Sequence, residues 1–231
     1  MHTGVRLLGL GFIFQISLHT TQLHADGAAS AKQPVCTLGQ KLLPVDQSAK
    51  RADFKRFRQE FLSSLATNDV AALSRVLAPN IKYSFGITEG RDGFLQQWRL
   101  REPPFEKSEL WQTLATALSQ GGVWRDDEFC FPYYAETWPE SCDAFEYLVV
   151  TGEQVPLRKG PAPTSPIVAK LSYEVVRNRS AGQRGPYVPV AARGGLEGYI
   201  EARSVGSPVG YRGCFEKQGT AWRLISFLAG D

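Results

Sequence analysis

Histidine is almost absent from this chain, and its absence narrows the chemistry available. Of the 231 residues only His2, His19 and His24 are histidines, all within the first 25 positions. Beyond them no imidazole is present to serve as the base of a Ser-His-Asp or Cys-His site. Zinc sites that need histidine ligands are excluded from the same region.

Strong charge of either sign is also lacking. The chain has 26 lysines and arginines against 23 aspartates and glutamates, a formal net charge of +3 at pH 7. That balance is too weak for a dedicated nucleic-acid-binding surface. No Gly-rich phosphate loop of the GxGxxG or Walker type is present, so we expect no nucleotide and no other cofactor. Hydrophobic residues make up 43% and aromatic residues 11%, which excludes a disordered, collagen-like or coiled-coil chain.

The first 25 residues have the pattern of a cleaved export signal. Arg6 supplies the positive start, and the apolar run 7–18 has the ~7–15 residues of a signal core. Ala25 is a small residue at which cleavage can occur, and 29–31 (Ala-Ser-Ala) is a later alternative. The run is shorter than the roughly 20 residues that a membrane span needs. We therefore expect a periplasmic or secreted protein with no membrane span after cleavage, and a flexible lead-in over 26–49.

Four cysteines remain beyond the signal: Cys36, Cys130, Cys142 and Cys214. None has the CxxC spacing of a thiolate metal or redox site. In an exported chain, cysteines are most simply explained as disulfides. Nearness in sequence favours Cys130 with Cys142, which leaves Cys36 with Cys214, although four cysteines allow three connectivities and the sequence does not decide among them.

Residues 50–146 are predicted to form a helical domain with a few strands. Apolar residues at helical spacing predict a first helix whose buried face holds Phe54, Phe57, Phe61, Leu62 and Leu65. A second helix follows Asn68-Asp69 and ends before Pro79. Alternation then predicts a strand over 81–85, and two further helices follow it.

From residue 147 the pattern changes to short strands. β-rich runs recur every ~8–12 residues between glycines and prolines, which is typical of a small antiparallel barrel. We expect this barrel over 147–207 and a terminal β-hairpin over 208–231. The fold class is therefore α+β.

Sequence motifs in the barrel region follow a known order. Gln154-Val-Pro-Leu-Arg158 is followed by a Pro/Ser-rich stretch and then by Ile167-Val-Ala-Lys-Leu171, and Gly198-Tyr-Ile200 comes later. In this order the pieces resemble a bacterial SH3 (SH3b) domain over 148–207. Where SH3b sequences usually place Trp before a Val-x-Val strand, this chain has Tyr187-Val-Pro-Val190. Its proline removes a ladder donor, so we expect this strand at an edge or a bulge.

The SH3b resemblance implies a non-catalytic module with an SH3-like barrel. It implies that the ligand is cell-wall peptide or glycan, or an envelope protein. Aromatic faces and a guanidinium suit such ligands, and the candidate groove residues are Arg158, Tyr173, Tyr187 and Tyr199. The alternative is that these side chains complete the barrel's own core. If Ile200 is buried, Tyr199 faces away from the core and is available to a ligand.

The first half carries a second resemblance. Residues 57–86 run as helix, short helix and strand, and Ala221-Trp222-Arg-Leu224-Ile225 near the end reads as a last strand, as in NTF2-like (SnoaL-like) proteins. This implies that the hairpin 211–228 returns to the N-terminal domain. It also implies an alternative function, a small-molecule binder or enzyme whose N-terminal pocket uses polar residues near Asp92 or Tyr83. A further alternative is a structural SH3b barrel without a groove.

One acidic concentration stands out, comprising Asp126, Asp127, Glu128, Glu136, Glu140 and Asp143. Paired carboxylates can hydrolyse glycosides, and carboxylates can bind calcium. No Asp-x-Asp-x-Asp-Gly loop is present, and charged loop clusters are usually solvated surface. We therefore expect neither catalysis nor a metal site here.

Overall fold

The computed structural model describes Met1 and residues 35–86, 90–182 and 185–230. Apart from Met1, the predicted export signal lies outside these residues, as does the lead-in up to residue 34. Within the described residues, no helix is long and apolar enough to cross a membrane.

The described residues form a mixed α+β structure of five α-helices and two sheets. The helices are α1 (Ala52–Ala66), α2 (Val70–Val76), α3 (Gly90–Gln97), α4 (Leu110–Ser119) and α5 (Tyr133–Glu136). The strands are β1 (Leu77–Lys82), β2 (Val123–Arg125), β3 (Glu128–Phe131), β4 (Tyr147–Val150), β5 (Val155–Arg158), β6 (Ile167–Leu171), β7 (Val175–Asn178), β8 (Tyr187–Ala191), β9 (Glu197–Glu201), β10 (Val205–Gly206), β11 (Arg212–Gln218) and β12 (Ala221–Leu228).

The first two helices begin and end for local reasons. Helix α1 buries Phe54, Phe61 and Leu65, which its apolar spacing places on one face. Helix α2 starts where the Asp69 carboxylate accepts a hydrogen bond from the Ala72 N–H at 2.9 Å, which satisfies an otherwise unpaired donor.

The strand predicted over 81–85 was placed too late, because β1 starts directly after α2 at Leu77. Strand β1 tolerates Pro79 because it lies at the edge of its sheet, where the missing N–H breaks no hydrogen-bonded ladder.

The first sheet has the strand order β1-β12-β11-β3-β2. Strand β1 is parallel to β12, and the other pairs are antiparallel. The terminal hairpin β11–β12 therefore lies in the middle of this sheet, between strands from the first half of the chain.

Aromatic rings fill the space between α1 and the first sheet. The Phe54 ring centroid lies 4.5 Å from that of Phe129 and 4.9 Å from that of Trp222. Phe131 stacks on Phe215 at 5.4 Å. All five side chains are buried, so the main core of the protein lies here.

The second sheet has the strand order β10-β4-β7-β8-β9-β5-β6. Its own core includes Leu157, Val190 and Ile200. Within the described residues no ladder joins β6 to β10, so hydrogen bonds do not close this sheet into a barrel. Strand β8 was expected at an edge or a bulge, but it lies between β7 and β9. The registered pairs of β7 with β8 end at Val190, so Pro189 falls just outside that ladder.

The N-terminal arm, defined here as residues 35–50, is ordered against the second sheet. The Gly39 N–H donates to the Val175 carbonyl at 2.9 Å, and the Val175 N–H donates to the Gln40 backbone carbonyl at 2.9 Å. The Leu42 N–H donates to the Tyr173 carbonyl at 2.8 Å. These bonds dock the arm on the short link between β6 and β7 and on the first residue of β7. The flexible lead-in predicted over 26–49 is therefore corrected for its part from residue 35 on.

The same arm also contacts the first sheet. The Gln47 N–H donates to the Gly122 carbonyl at 2.8 Å, and the Trp124 indole N–H donates to the Gln47 carbonyl at 2.9 Å. The arm thus bonds to both sheets, and Pro34–Asp231 form one compact unit.

The two disulfides do not follow nearness in sequence. Cys36 is bonded to Cys142, and Cys130 to Cys214. The pairing favoured from the sequence was therefore wrong. Cys130 cannot reach Cys142 because β3 pairs with β11, which sets Cys130 directly opposite Cys214. Two disulfides fit an oxidising compartment such as the periplasm or the exterior.

Peptide mapping under non-reducing conditions tests this pairing. No Lys or Arg lies between Cys130 and Cys142, so trypsin leaves both in one peptide. Cleavage after Glu136 and Glu140 separates them. We expect mass spectrometry to find Cys36 linked to Cys142 and Cys130 linked to Cys214. A peptide pair joining Cys130 to Cys142 would contradict the structure.

The ion pair between the arm and the second sheet is expected to stabilise the fold more than a surface pair of equal length. Lys41 Nζ lies 2.9 Å from Glu174 Oε1, and the Glu174 side chain is 2% exposed. We expect Lys41→Met to lower the free energy of unfolding by about 1–3 kcal/mol, because it removes a partner from a buried carboxylate. The measurement is urea denaturation.

Arg177→Met is the matched control. Arg177 Nη2 also lies 2.9 Å from a carboxylate, that of Glu146, but both side chains are half exposed. Its loss is expected to cost less than about 1 kcal/mol because water screens exposed pairs. Equal losses in the two variants would show that the burial of Glu174 does not matter.

Candidate functional site

Three of the four predicted groove residues lie on one face of the second sheet. Tyr199 pairs across strands with Pro189 on β8 and with Arg158 on β5. Ile200, its neighbour, is fully buried in the core, so Tyr199 points to the opposite face. Tyr187 stands two residues before Pro189 and therefore shares that face.

We call this surface the aromatic face and define it as Arg158, Tyr187, Pro189, Tyr199 and Glu201. Glu201 belongs to it because it pairs across strands with Tyr187. All five residues are intermediate in exposure, neither buried in the core nor fully solvated. Such a row of rings between a guanidinium and a carboxylate can stack on a flat or apolar ligand surface and hydrogen-bond its polar edges.

Two contacts fix the charged ends of the aromatic face. Arg158 Nη1 donates to the Ser165 carbonyl at 2.9 Å, which ties the guanidinium to the loop between β5 and β6. Glu201 accepts a hydrogen bond from Arg203 Nε at 2.6 Å. The guanidinium of Arg158 therefore has a structural role in addition to any contact with a ligand.

Tyr173, the fourth predicted groove residue, lies elsewhere. It stands in the link between β6 and β7 with φ of 51°, a left-handed backbone conformation. Its phenol is close enough to Tyr133 to contribute to the raised pKa of that residue. Tyr173 thus faces the junction between the sheets, and the prediction that it joins the aromatic face is corrected.

A buried tyrosine pair forms this junction. Burial raises the pKa of Tyr134 to about 12, with a smaller contribution from Tyr133. Burial likewise raises the pKa of Tyr133 to about 12, and its hydroxyl donates to the Leu42 carbonyl at 2.9 Å. Gly206 on β10 is packed so closely that an added Cβ would lie 2.4 Å from the Tyr134 ring. Trp138 packs beside the pair and donates to the Cys142 carbonyl at 2.8 Å.

The acidic concentration is engaged in local contacts. Asp127 pairs with Arg51 at 2.7 Å, and Glu136 pairs with Arg125 at 3.3 Å. The Asp143 carboxylate accepts a hydrogen bond from the Phe145 N–H at 2.7 Å. Asp126, Asp127, Glu140 and Asp143 are exposed. These contacts describe a charged surface that stabilises its own turns.

One group of possible metal ligands includes both cysteines of a disulfide. The ligand atoms of Glu128, Cys130 and Cys214 lie within 4.8 Å of one another. Both sulfur atoms are bonded to each other, so neither is a thiolate. The arrangement does not fit a metal site while the disulfide is intact.

The residues named for an N-terminal pocket do not form a buried polar site. Asp92 is exposed on α3. Tyr83 is half-buried with its ring edge-on to Phe94 at 6.2 Å between centroids. The space between the first sheet and α1 is occupied by the rings packed around Phe54.

Sequence reasoning missed two cavities that lie between distant parts of the chain. One, of about 310 Å³, is lined by Trp98, which follows α3, and by Ser108 and Tyr211 among others. A second, of about 570 Å³, runs beside α4 to Tyr134 and Val205 and shares Tyr211 with the first.

Comparisons with known proteins do not assign this chain to a family. No family model matches the chain, and no curated protein matches it. A solved structure described as a calcium/calmodulin-dependent protein kinase II association domain from Xanthomonas campestris matches at 12% identity, over 85% of this chain and 98% of that chain. The TM-score is 0.26, which is too low to support an argument about fold or function.

The burial of Tyr133 and Tyr134 predicts that their phenols ionise at higher pH than ordinary tyrosines and that the folded protein loses stability as they do. Their pKa of about 12 exceeds the ordinary value of 10.0, so the unfolded chain releases these protons first. Their contribution is complete below pH 10 and is lost as the pH rises from 10 to 12, by at most about 2–3 kcal/mol for each residue. Absorbance at 295 nm should show two of the eight tyrosines ionising late.

The Tyr134→Phe variant separates the stability lost through ionisation of this tyrosine from the effect of lysines that titrate over the same pH range. The variant should lose less stability than the wild type between pH 10 and 12. If all eight tyrosines of the wild type titrate near pH 10, the buried pair does not exist in solution.

Proposed function

We propose that this chain is an exported, non-catalytic binding protein whose aromatic face contacts cell-wall peptide or glycan, or a protein of the envelope. The observation that carries the proposal is the placement of Arg158, Tyr187 and Tyr199 on one face that points away from the core. Adjacent rings and a guanidinium are suited to ligands that combine apolar and hydrogen-bonding edges.

We further propose that the second sheet is an SH3b-like module. Strands β7, β8 and β9 form an antiparallel meander, and β5 pairs with the far side of β9. The outer strand β6 leads directly into β7 through residues 172–174. The chain itself thus connects one end of the sheet to its middle, which favours a strongly curled, barrel-like shape. These features support the resemblance in the sequence.

Export is supported by two independent features. The first residues have the pattern of a signal peptide, and all four cysteines are paired. The absence of histidine beyond residue 24 favours binding over acid–base catalysis.

Co-sedimentation with purified cell-wall sacculi tests the proposed function. We expect the wild-type protein to pellet with sacculi, and we expect Tyr187→Ala and Tyr199→Ala to weaken this binding at least about tenfold, as truncation of a central aromatic residue does. Arg158→Gln is expected to weaken binding as well, after its folding has been checked because the Ser165 contact is lost.

Phe145→Ala is the matched control for these variants. It also removes an exposed aromatic ring, but from outside the aromatic face. It should pellet like the wild type. Failure of the wild type to pellet, or equal loss in Phe145→Ala, would refute binding of the wall by the aromatic face and would favour a structural role for the second sheet.

A further inference from the structure

The hydroxyl of Tyr134 has no hydrogen-bond partner within the described residues, although this residue is only 9% exposed. The neighbouring Tyr133 differs, because its hydroxyl donates to the Leu42 carbonyl at 2.9 Å. The Tyr134 hydroxyl is not sealed off, since the fully enclosed side-chain atoms without a partner within the described residues belong to Arg58, Arg91, Trp98, Glu174 and Trp222. A largely buried phenol that keeps some accessible surface is suited to a hydrogen bond with a ligand.

The tip of the Tyr134 ring lies at the edge of the second sheet. A Cβ added to Gly206 would lie 2.4 Å from Tyr134 Cζ and 2.8 Å from its hydroxyl oxygen. Gly206 belongs to β10, the outermost strand at this end of the sheet. Tyr134 and the adjacent Val205 both line an open groove of about 570 Å³, which runs between α4 and residues 202–205 and reaches Tyr211. We call it the α4 groove, and the accessible part of the Tyr134 hydroxyl opens into it.

The helical wall of the α4 groove is polar. Glu109, Gln112, Thr113 and Thr116 line it at the spacing of one helix face. Gln112 and Thr116 are exposed. The Thr113 hydroxyl donates to the Glu109 carbonyl at 2.7 Å, and its oxygen can still accept a hydrogen bond. An amide and two hydroxyls therefore border the groove on this side.

Tyr211 adds an aromatic surface to the same groove. One face of its ring stacks on Phe227 at 5.2 Å between centroids, which fixes the plane of the ring. Tyr211 is 37% exposed, so part of the ring is available to a ligand. Such a ring can pack against the flat apolar face of another molecule.

The lining of the α4 groove carries no net charge. Its two charged residues, Glu109 and Arg203, have opposite signs. Arg203 Nε already donates to the Glu201 carboxylate at 2.6 Å. This balance favours a neutral ligand over an anion or a cation, and the volume lies within the ~300–1,000 Å³ of ligand sites.

The groove is poorly suited to an extended peptide, which binds by adding a strand to a sheet edge. Strand β10 has only two residues. The Val205 N–H donates to the Ala202 carbonyl, and Gly206 pairs with Val149 of β4. The edge therefore offers little main chain, and the polar groups of the groove are mainly those of side chains.

We propose that the α4 groove binds a short neutral oligosaccharide. The apolar face of a sugar ring packs on Tyr211, and sugar hydroxyls bond to Tyr134, Gln112 and Thr116. This site is distinct from the aromatic face, and the proposal does not depend on the function proposed for that face.

Isothermal titration calorimetry with two trisaccharides tests the proposal. The probes are triacetylchitotriose, the trimer of N-acetylglucosamine, and cellotriose, the trimer of glucose. We expect at least one of them to bind saturably. N-acetyl-trialanine amide, a neutral peptide of similar length, should bind at least about tenfold more weakly because it lacks the ring hydroxyls.

Substitutions in the groove give the second measurement. Tyr134→Phe removes the hydroxyl and keeps the ring that packs on Gly206, so the fold is retained while sugar binding weakens by about threefold to tenfold. Tyr211→Ala removes the stacking surface and should weaken binding by about tenfold or more.

Two controls separate this site from the rest of the molecule. Tyr133→Phe removes the hydroxyl of the other buried tyrosine, which bonds to Leu42 and lies outside the lining of the groove. Tyr187→Ala removes a ring of the aromatic face. Both should bind the sugar like the wild type. The proposal is overturned if neither trisaccharide binds saturably, if the peptide binds equally well, or if either control loses as much affinity as the groove variants.

Discussion

The antiparallel pairing of β3 with β11 is the constraint on which the rest of this structure depends. These strands are far apart in sequence, yet Cys130 lies opposite Cys214 and is bonded to it. The whole second sheet, residues 147–206, lies between them in the chain. Because one ladder holds both ends of this segment, the second sheet is an insertion into the first. The N-terminal arm and the Cys36–Cys142 disulfide then tie the two sheets together a second time.

Local patterns predicted the local parts of the fold. The face of α1 and the change to short strands after residue 147 follow from side-chain periodicity, which depends on neighbours in the sequence. The prediction of the disulfide pairing failed because the pairing depends on which strands lie side by side, and nearness in sequence does not indicate that. The strand β1 was placed late because its proline resembles a helix stop, whereas an edge strand tolerates it.

The residues of the candidate sites also differ in whether local patterns could place them. Alternation of side chains, with Ile200 as the core residue, was enough to direct Tyr199 to the outer face. Tyr173 could not be placed by alternation, because its left-handed backbone breaks the strand between β6 and β7. The cavity lined by Trp98 and Tyr211 could not be predicted from local patterns at all. Its residues come from the end of α3 and the turn after it, the segment before α4 and the segment before β11, which only the tertiary fold brings together.

The aromatic core decides where function can reside. Where a sheet packs against a helix, the space between them is a natural place for a pocket, but here Phe54, Phe129 and Trp222 are in ring contact there. To open a pocket among them would expose apolar area and create a cavity, which costs several kcal/mol for each large side chain removed, or about 3–5 kcal/mol for a Phe or Trp cut to Ala. Accessible aromatic side chains are therefore found at the margins of the core. There, Tyr199 faces outward, so its ring can be reached without unpacking the rings that hold the first sheet to α1.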